Sequence, residues 1–374
     1  MDQPNREVAL FLPFMQIPSG HHHVADALIN EMKYCERNMT CDKIDILSYS
    51  FGKVEKVVSA SYLTWIKWLP SVYHWLYFHS AYKSSPQNNR NYLYELLFTY
   101  FFKRLINAKK PKVVFCTHAL PSNIASVLKQ KNQLNATIVN VYTDFFVNRI
   151  WGLKEIDFHF APTLAVKRYL LDQGVNENCI FVTGIPVHSA FKIQESKPNR
   201  VQQLSILVAG GNLGVGSIKE MLSDPTNENH LHYHVLCGKN EKLYQQLVHE
   251  NKANVTPYAY ITSRDKMNRL YDQVDAVMTK PGGVTISESL LKRKPIFVYN
   301  PLPGQETINT KHLYNQGLIL PINMNKSINT QLVNYFADQN QQERYSQRVV
   351  EYHQNIDKRP IYLIIDRIMR DNSV

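Results

Sequence analysis

Short, nearly uninterrupted apolar runs alternate with amphipathic stretches along this chain. That alternation is expected of parallel strands covered by helices on both faces. Val8 to Phe14 reads as a buried first strand. Pro18, Ser19 and Gly20 then lead into His21 through Glu36, where Val24, Ala25, Leu28, Ile29 and Met32 recur at helical spacing. Lys43 to Leu47, Lys112 to Cys116, Thr137 to Val141, Phe158 to Ala161 and Ile180 to Thr183 read as further strands, with Ser122 to Lys129 a helix. Lys192 to Arg200 is polar, contains Pro198 and reads as a linker. After it the pattern restarts: strand Leu204 to Ala209, a glycine loop from Gly210 to Gly216, a helix start over Ser217 to Leu222, then strands at His232 to Cys237 and Val255 to Tyr260. Two successive strand–glycine–helix halves predict an α/β chain of two doubly wound, Rossmann-like domains, residues 1–195 and 200–356. There is no internal repeat and no low-complexity tract.

The densest chemistry lies between Thr279 and Glu306. Strand Ala276 to Met278 meets Lys280-Pro281-Gly282-Gly283, a helix follows, and Ile296 to Tyr299 forms the next strand. A glycine turn feeding a helix N-terminus presents unpaired N–H groups and the positive end of the helix dipole, which binds phosphate without a metal. Gln305 and Glu306 come after the next strand, where open α/β sheets place ligand-contacting loops. The layout suits a nucleoside diphosphate that carries a polyol. Thr285 and Glu288 have two readings. They form a capping-box tetrad, in which Glu288 bonds the Thr285 backbone, or Glu288 is a carboxylate for two vicinal ribose hydroxyls.

In the first half, Gly20-His21-His22-His23 opens the first helix. His21 reads as a general base, because an imidazole titrates close to working pH; a helix-capping histidine is the competing reading. Three adjacent histidines on a helix point in different directions, which argues against a shared metal. Thr143-Asp144-Phe145 follows a strand, with Trp151 nearby. Asp144 either orients a base or contacts a substrate, or it caps a helix.

With 374 residues and a 44% hydrophobic composition, the chain has enough material for two ordinary cores. No apolar run reaches the length of a membrane span, and the polar start and short Val8 to Met15 run do not read as a signal peptide. The five scattered cysteines read as reduced thiols, so a cytoplasmic location is expected. A net charge of +11 calls for an anionic partner: nucleic acid, an anionic membrane or small anions. Neither zinc-finger spacing nor an RNA-binding signature is present, so nucleic acid is not expected. Trp65, Trp68 and Trp75 stand with ten tyrosines and phenylalanines that run from Tyr73 to Phe102, among mostly positive charges. Amphipathic aromatics beside Lys and Arg suit an anionic membrane surface; two ordinary sheet-covering helices are the other reading.

Lys280-Pro281-Gly282-Gly283, Thr285, Ser287-Glu288 and Pro303-Gly304-Gln305-Glu306 resemble the donor signature of glycosyltransferase family 28. The branch they resemble is that of monogalactosyldiacylglycerol synthases and processive diacylglycerol glucosyltransferases. The resemblance implies a GT-B fold, two Rossmann-like domains facing across a cleft, with the C-terminal helix 357–374 packing back on the first domain. It implies a UDP-sugar-dependent hexosyltransferase that acts on diacylglycerol or a related lipid hydroxyl and sits peripherally on the inner face of the cell membrane. His21 falls on the family histidine, with Pro18 in place of the family's first glycine, and Asn148 stands where relatives carry a histidine. Gly20, in the same turn, would contact the donor. Gly210, Gly211, Asn212 and Gly214 match the second glycine loop and would line the diphosphate; Gly238, Lys239 and Asn240 match a segment near the base. Glu288 would hold the ribose, and Gln305, Glu306 and Asn309 the sugar. Trp151, with Trp65, Trp68 and Trp75, would face acceptor and membrane.

The reaction expected is an inverting transfer with UDP-sugar as co-substrate and no cofactor. No Asp-x-Asp motif stands where a metal would sit, so no metal is expected. A soluble acceptor, or a non-enzymatic nucleotide-sugar sensor, are the alternatives.

Overall fold

The computed structural model describes residues 7–14, 20–36, 39–51, 92–193, 203–210 and 230–371. The chain divides into two units, Met1–His188 with Asn355–Val374, and Ser189–Gln354.

The first unit runs β1 (Val8–Leu12), α1 (Gly20–Glu31), β2 (Thr40–Lys43), α2 (Ile46–Phe51), α3 (Tyr92–Lys109), β3 (Val113–Cys116), α4 (Ala119–Gln130), β4 (Thr137–Val141), β5 (Phe158–Ala161), α5 (Leu164–Asp172) and β6 (Ile180–Val182). Its strands pair in parallel in the order β2-β1-β3-β4-β5-β6. β1, β3 and β4 are buried along nearly their whole length, which is why they read as unbroken apolar runs.

The expected strand Lys43 to Leu47 is a correction. β2 stops at Lys43, and α2 begins at Ile46 because the Asp45 carboxylate accepts from the Leu47 N–H (3.0 Å) and the Ser48 hydroxyl (2.7 Å). An aspartate in that position starts a helix. Ile46 and Leu47 are buried as helix residues.

The second unit runs β7 (Leu204–Ala209), β8 (Leu231–Leu236), α6 (Glu241–Glu250), β9 (Val255–Tyr258), α7 (Arg264–Gln273), β10 (Ala276–Thr279), α8 (Gly283–Leu291), β11 (Ile296–Val298), α9 (Gln305–Asn315), β12 (Leu320–Pro321), α10 (Ile328–Ala337) and α11 (Gln339–Gln354). Its parallel sheet has the order β12-β11-β10-β7-β8-β9. The final helix, α12 (Ile361–Asp371), belongs to the first unit. There the Asp366 carboxylate accepts from the Glu36 N–H, Arg370 pairs with Glu36, and the Asp357 N–H donates to the Val182 carbonyl (2.7 Å).

Each sheet reverses its winding once, between β1 and β3 in the first and between β7 and β10 in the second. A sheet of this kind opens its ligand crevice at the carboxyl ends of the two strands flanking the reversal. Register puts Leu12 beside Cys116, so Pro13 and Thr117 leave the same edge. It puts Ala209 beside Thr279, so Gly210 and Lys280 emerge together. Topology therefore names two candidate sites, one in each unit.

Candidate functional site

In the first unit, His21 lies in the opening turn of α1. Its Nδ1 is 2.7 Å from the Thr117 carbonyl oxygen and 3.0 Å from the Thr143 hydroxyl. A carbonyl only accepts, so Nδ1 carries the ring proton and Nε2 keeps its lone pair. Burial pushes the His21 pKa below 6.5, an effect opposed by the charge of Asp144. His21 is therefore a neutral imidazole whose tautomer is set by a backbone carbonyl, the form a general base needs.

Thr143 and Asp144 are carried on a loop that a buried polar network fastens. Asn140 Nδ2 donates to the Gly152 carbonyl (2.7 Å), the Gly152 N–H donates to Ser122 Oγ (3.1 Å), and Tyr142 Oη meets His159 Nδ1 at 2.9 Å. Trp151 is buried and packs edge-on to Tyr142 at 4.7 Å, so the structure sets this indole in the packing beneath the loop. Asn148 Oδ1 accepts from the Ile150 N–H, a local turn contact. Gly152 is where chain meets chain: a Cβ there would lie 2.4 Å from Ser126 Cβ and 2.8 Å from the Ser122 carbonyl. Gly152→Ala is expected to cost about 2–3 kcal/mol, because close-packed backbone yields little to an added methyl. Chemical denaturation reads this as a lower midpoint with an unchanged slope.

In the second unit, β10 feeds α8 through Lys280-Pro281-Gly282. Gly282 caps α8 with no side-chain hydrogen bond, is exposed, and has open space where a Cβ would stand. The first-turn N–H groups of α8 have no intrahelical acceptors, so this end is built to receive an anion. Lys280 is buried, and the Asn309 amide ties the loop by donating to the Pro281 carbonyl (3.2 Å).

Thr285 is the third residue of α8 rather than its cap, so the capping-box reading of Glu288 does not hold. Glu288 is buried, and its Oε2 accepts from the Tyr271 hydroxyl at 3.0 Å. Desolvation raises its carboxyl to about 7, with Tyr271 opposing the rise. Gln305 and Glu306 occupy the first turn of α9, behind Gly304 at φ +96°, a backbone that requires glycine. Glu306 Oε2 accepts from the Leu302 N–H (2.6 Å), which folds the loop before α9 onto the helix end.

Gly238 has φ +59°, Asn240 caps α6 by accepting from the Leu243 N–H (3.1 Å), and Lys239 lies over the Tyr260 ring at 5.6 Å. Nearby, at the carboxyl end of β9, a cavity of about 310 Å³ is lined by Tyr244, Tyr258, Tyr260, Thr262, Ser263 and Lys266 among others. Gly210, the residue that follows β7, is buried. Gly211, Asn212, Gly214, Trp65, Trp68 and Trp75 lie outside the described residues, as do most of the expected linker and the expected Ser217 to Leu222 helix start.

Two residues joined the first site without being named in sequence, Thr117 and His118, and a third, Thr143, was named only beside Asp144. Thr117 and Thr143 hold His21, and His118 packs edge to face against it at 4.7 Å between ring centroids. The available signal was the Thr117-His118 pair directly behind an apolar strand. Its partner across the sheet is fixed only by strand order.

The family model for monogalactosyldiacylglycerol (MGDG) synthase matches residues 21–187, and that for the glycosyltransferase family 28 C-terminal domain matches residues 205–359. The uncharacterized glycosyltransferase YkoN of Bacillus subtilis (strain 168) is 39% identical over 96% of this chain and 96% of its own. A processive diacylglycerol beta-glucosyltransferase of Bacillus thuringiensis (strain Al Hakam) is 32% identical over 59% of this chain, and the match spans 58% of that enzyme's length. In structure, Acinetobacter baumannii MurG superposes with a TM-score of 0.61 at 14% identity, covering 98% of this chain and 99% of that one. CalG4, the calicheamicin glycosyltransferase, superposes with a TM-score of 0.63 at 11% identity, covering 98% of both. These two likenesses show the GT-B fold.

Proposed function

This chain belongs to the family of glycosyltransferases that join a monogalactosyldiacylglycerol synthase domain to a family 28 C-terminal domain, and we propose that it moves a hexose from a UDP-sugar to diacylglycerol or a related lipid hydroxyl. The observation that carries the donor half is the open, glycine-capped end of α8 with a buried carboxylate, Glu288, on the same helix. That pair answers two parts of one ligand: the helix end takes the diphosphate and Glu288 the ribose hydroxyls. The tyrosine-lined cavity beside Lys239 takes the uracil ring in this reading. Gln305 and Glu306, in the first turn of α9, take the sugar hydroxyls.

His21 Nε2 takes the proton of the acceptor hydroxyl. The oxygen attacks the anomeric carbon from the face opposite the diphosphate, a C–O bond forms, and the bond to UDP breaks with its electron pair leaving on phosphate. The stereochemistry inverts. The helix dipole and the N–H groups at Gly282 and Gly283 stabilise the charge that builds on the leaving group, and no divalent cation is needed. The lipid acceptor is supported by the diacylglycerol glucosyltransferase relative. Among the described residues no helix is long and apolar enough to cross a membrane, and we place the enzyme peripherally on an anionic lipid surface.

The test is incubation with UDP-glucose, UDP-galactose or UDP-N-acetylglucosamine, each with diacylglycerol in anionic vesicles and EDTA. A glycolipid from one donor, of inverted anomeric configuration by NMR, is the expected product. UDP binding without any glycolipid would move the acceptor to a soluble molecule, and loss of product in EDTA would overturn metal independence.

A further inference from the structure

His21 does not stand alone at the carboxyl edge of the first sheet. His118, the first residue after Thr117 beyond β3, is half-buried between two rings. It stacks on Phe14 at 4.7 Å and meets His21 edge to face at 4.7 Å. Its Nδ1 accepts the Leu120 N–H at 3.2 Å and so caps α4. A ring nitrogen that accepts from a backbone N–H has no proton of its own, so the proton of a neutral His118 is on Nε2. Burial holds His118 well below its ordinary pKa, and the nearby His21 adds to this. Among the described residues, no hydrogen-bond partner of Nε2–H is found.

The two rings thus carry opposite hydrogen-bonding polarity. His21 offers a lone pair on Nε2, and His118 offers an N–H on Nε2. A bare hydroxyl satisfies only the first. A hydroxyl with a second oxygen on the neighbouring carbon satisfies both: it donates to His21 and accepts from His118.

We propose that His118 is an acceptor-binding residue, whose Nε2–H donates to an oxygen on the carbon next to the hydroxyl that His21 deprotonates. This rests on His21 acting as base in the proposed transfer. The chemical class is a vicinal oxygen pair. In 1,2-diacylglycerol the second oxygen belongs to the neighbouring ester; in a glycoside it is an adjacent hydroxyl. The site therefore selects among alcohols by what stands beside the reacting hydroxyl, not by the hydroxyl itself.

Two substitutions separate the two nitrogens. His118→Asn keeps an acceptor near Nδ1, and with it the cap on α4, but removes the Nε2–H. His118→Gln supplies an amide N–H near the Nε2 position and gives up the cap. Initial rates are compared for 1,2-diacylglycerol, a soluble glycoside with a vicinal diol, and a long-chain primary alcohol with no neighbouring oxygen. The expected result is that His118→Asn lowers kcat/KM about tenfold more on the vicinal-oxygen acceptor than on the simple alcohol, and that His118→Gln recovers part of this ratio. Whichever of the diacylglycerol and the glycoside the wild-type protein uses identifies the source of the oxygen pair.

An equal loss on every acceptor would overturn the proposal, since it would leave His118 with a packing role only. The ring tautomer gives an independent answer. Histidine side-chain 15N spectra of the intact protein should show Nδ1 unprotonated and Nε2 protonated for His118, and the opposite tautomer would overturn the proposal. Wild-type protein that modifies none of the three acceptors would sink the transferase reading of the site, while the tautomer would still decide whether His118 is a donor.

Discussion

Replacing His21 with alanine is expected to lower kcat for sugar transfer by about 10³-fold, within the range of a positioned general base, with UDP affinity near the wild-type value. The affinity is kept because the nucleotide is assigned to the second unit. His21→Asn is the sharper variant. Its amide retains an N–H for the Thr117 carbonyl that now accepts from Nδ1, yet it has no basic nitrogen where Nε2 stood. If both variants lose the same factor, the loss is that of the base rather than of the turn. If His21→Asn transfers sugar at the wild-type rate, the base is another group.

The pH dependence has a definite sign. Transfer requires neutral His21, and burial lowers its pKa from 6.5. With UDP-sugar saturating, kcat/KM for the acceptor should therefore be flat above pH 6.5 and fall only on acidification below it. Asp144 pushes the other way, raising the His21 pKa through its charge. In Asp144→Asn the acid limb should move to still lower pH, and the plateau rate should persist if Asp144 acts on His21 alone. A collapse of the plateau would instead make Asp144 a direct contact of the acceptor.

The contrast between His21 and His118 shows where the sequence was legible and where it was not. Buried parallel strands are unbroken apolar runs, so β1, β3, β4 and β10 could be read directly, and the glycine helix start of α8 lies in one contiguous stretch. His21 was legible because a histidine behind a strand and a glycine is a local pattern. Thr117 and His118 were not, and Thr143 was not legible as a partner of His21, because they come from segments about 100 residues or more from His21. Their meeting depends on β3 lying between β1 and β4, a pairing order that no local pattern encodes. The β2 boundary failed for a different reason. Ile44, Ile46 and Leu47 are as apolar as a strand, and the helix start rests on the single carboxylate of Asp45. Likewise the Thr285–Glu288 tetrad fits a capping box in sequence, and only the position of the α8 cap at Gly282 removes that reading.

Glu288→Gln is expected to weaken UDP binding by about tenfold while making the free protein more stable at alkaline pH. Both effects come from one buried carboxyl. Desolvation lifts it from 4.5 to about 7, and the Tyr271 hydroxyl restrains it at 3.0 Å. A carboxyl whose folded pKa is raised contributes stability that is fully present below pH 4.5 and lost as pH climbs through about 7. Glutamine cannot ionise and still accepts from Tyr271, so it removes that loss. The gain should be about 1–3 kcal/mol at pH 8 and should vanish near pH 5, read as a difference in melting temperature between the two proteins at each pH. Function runs the opposite way. In the ionised form both oxygens are acceptors, Oε2 with a lone pair beyond the one used by Tyr271, so wild-type affinity for UDP should rise with pH through about 7, while that of Glu288→Gln stays level. Calorimetry at pH 6 and pH 8 separates the cases. A Glu288→Gln protein that binds UDP as tightly as wild type at both values would remove Glu288 from the ribose and leave it a buried partner of Tyr271. A protein more stable but weaker in binding identifies Glu288 as a group held at a cost to the fold because the ligand requires its charge.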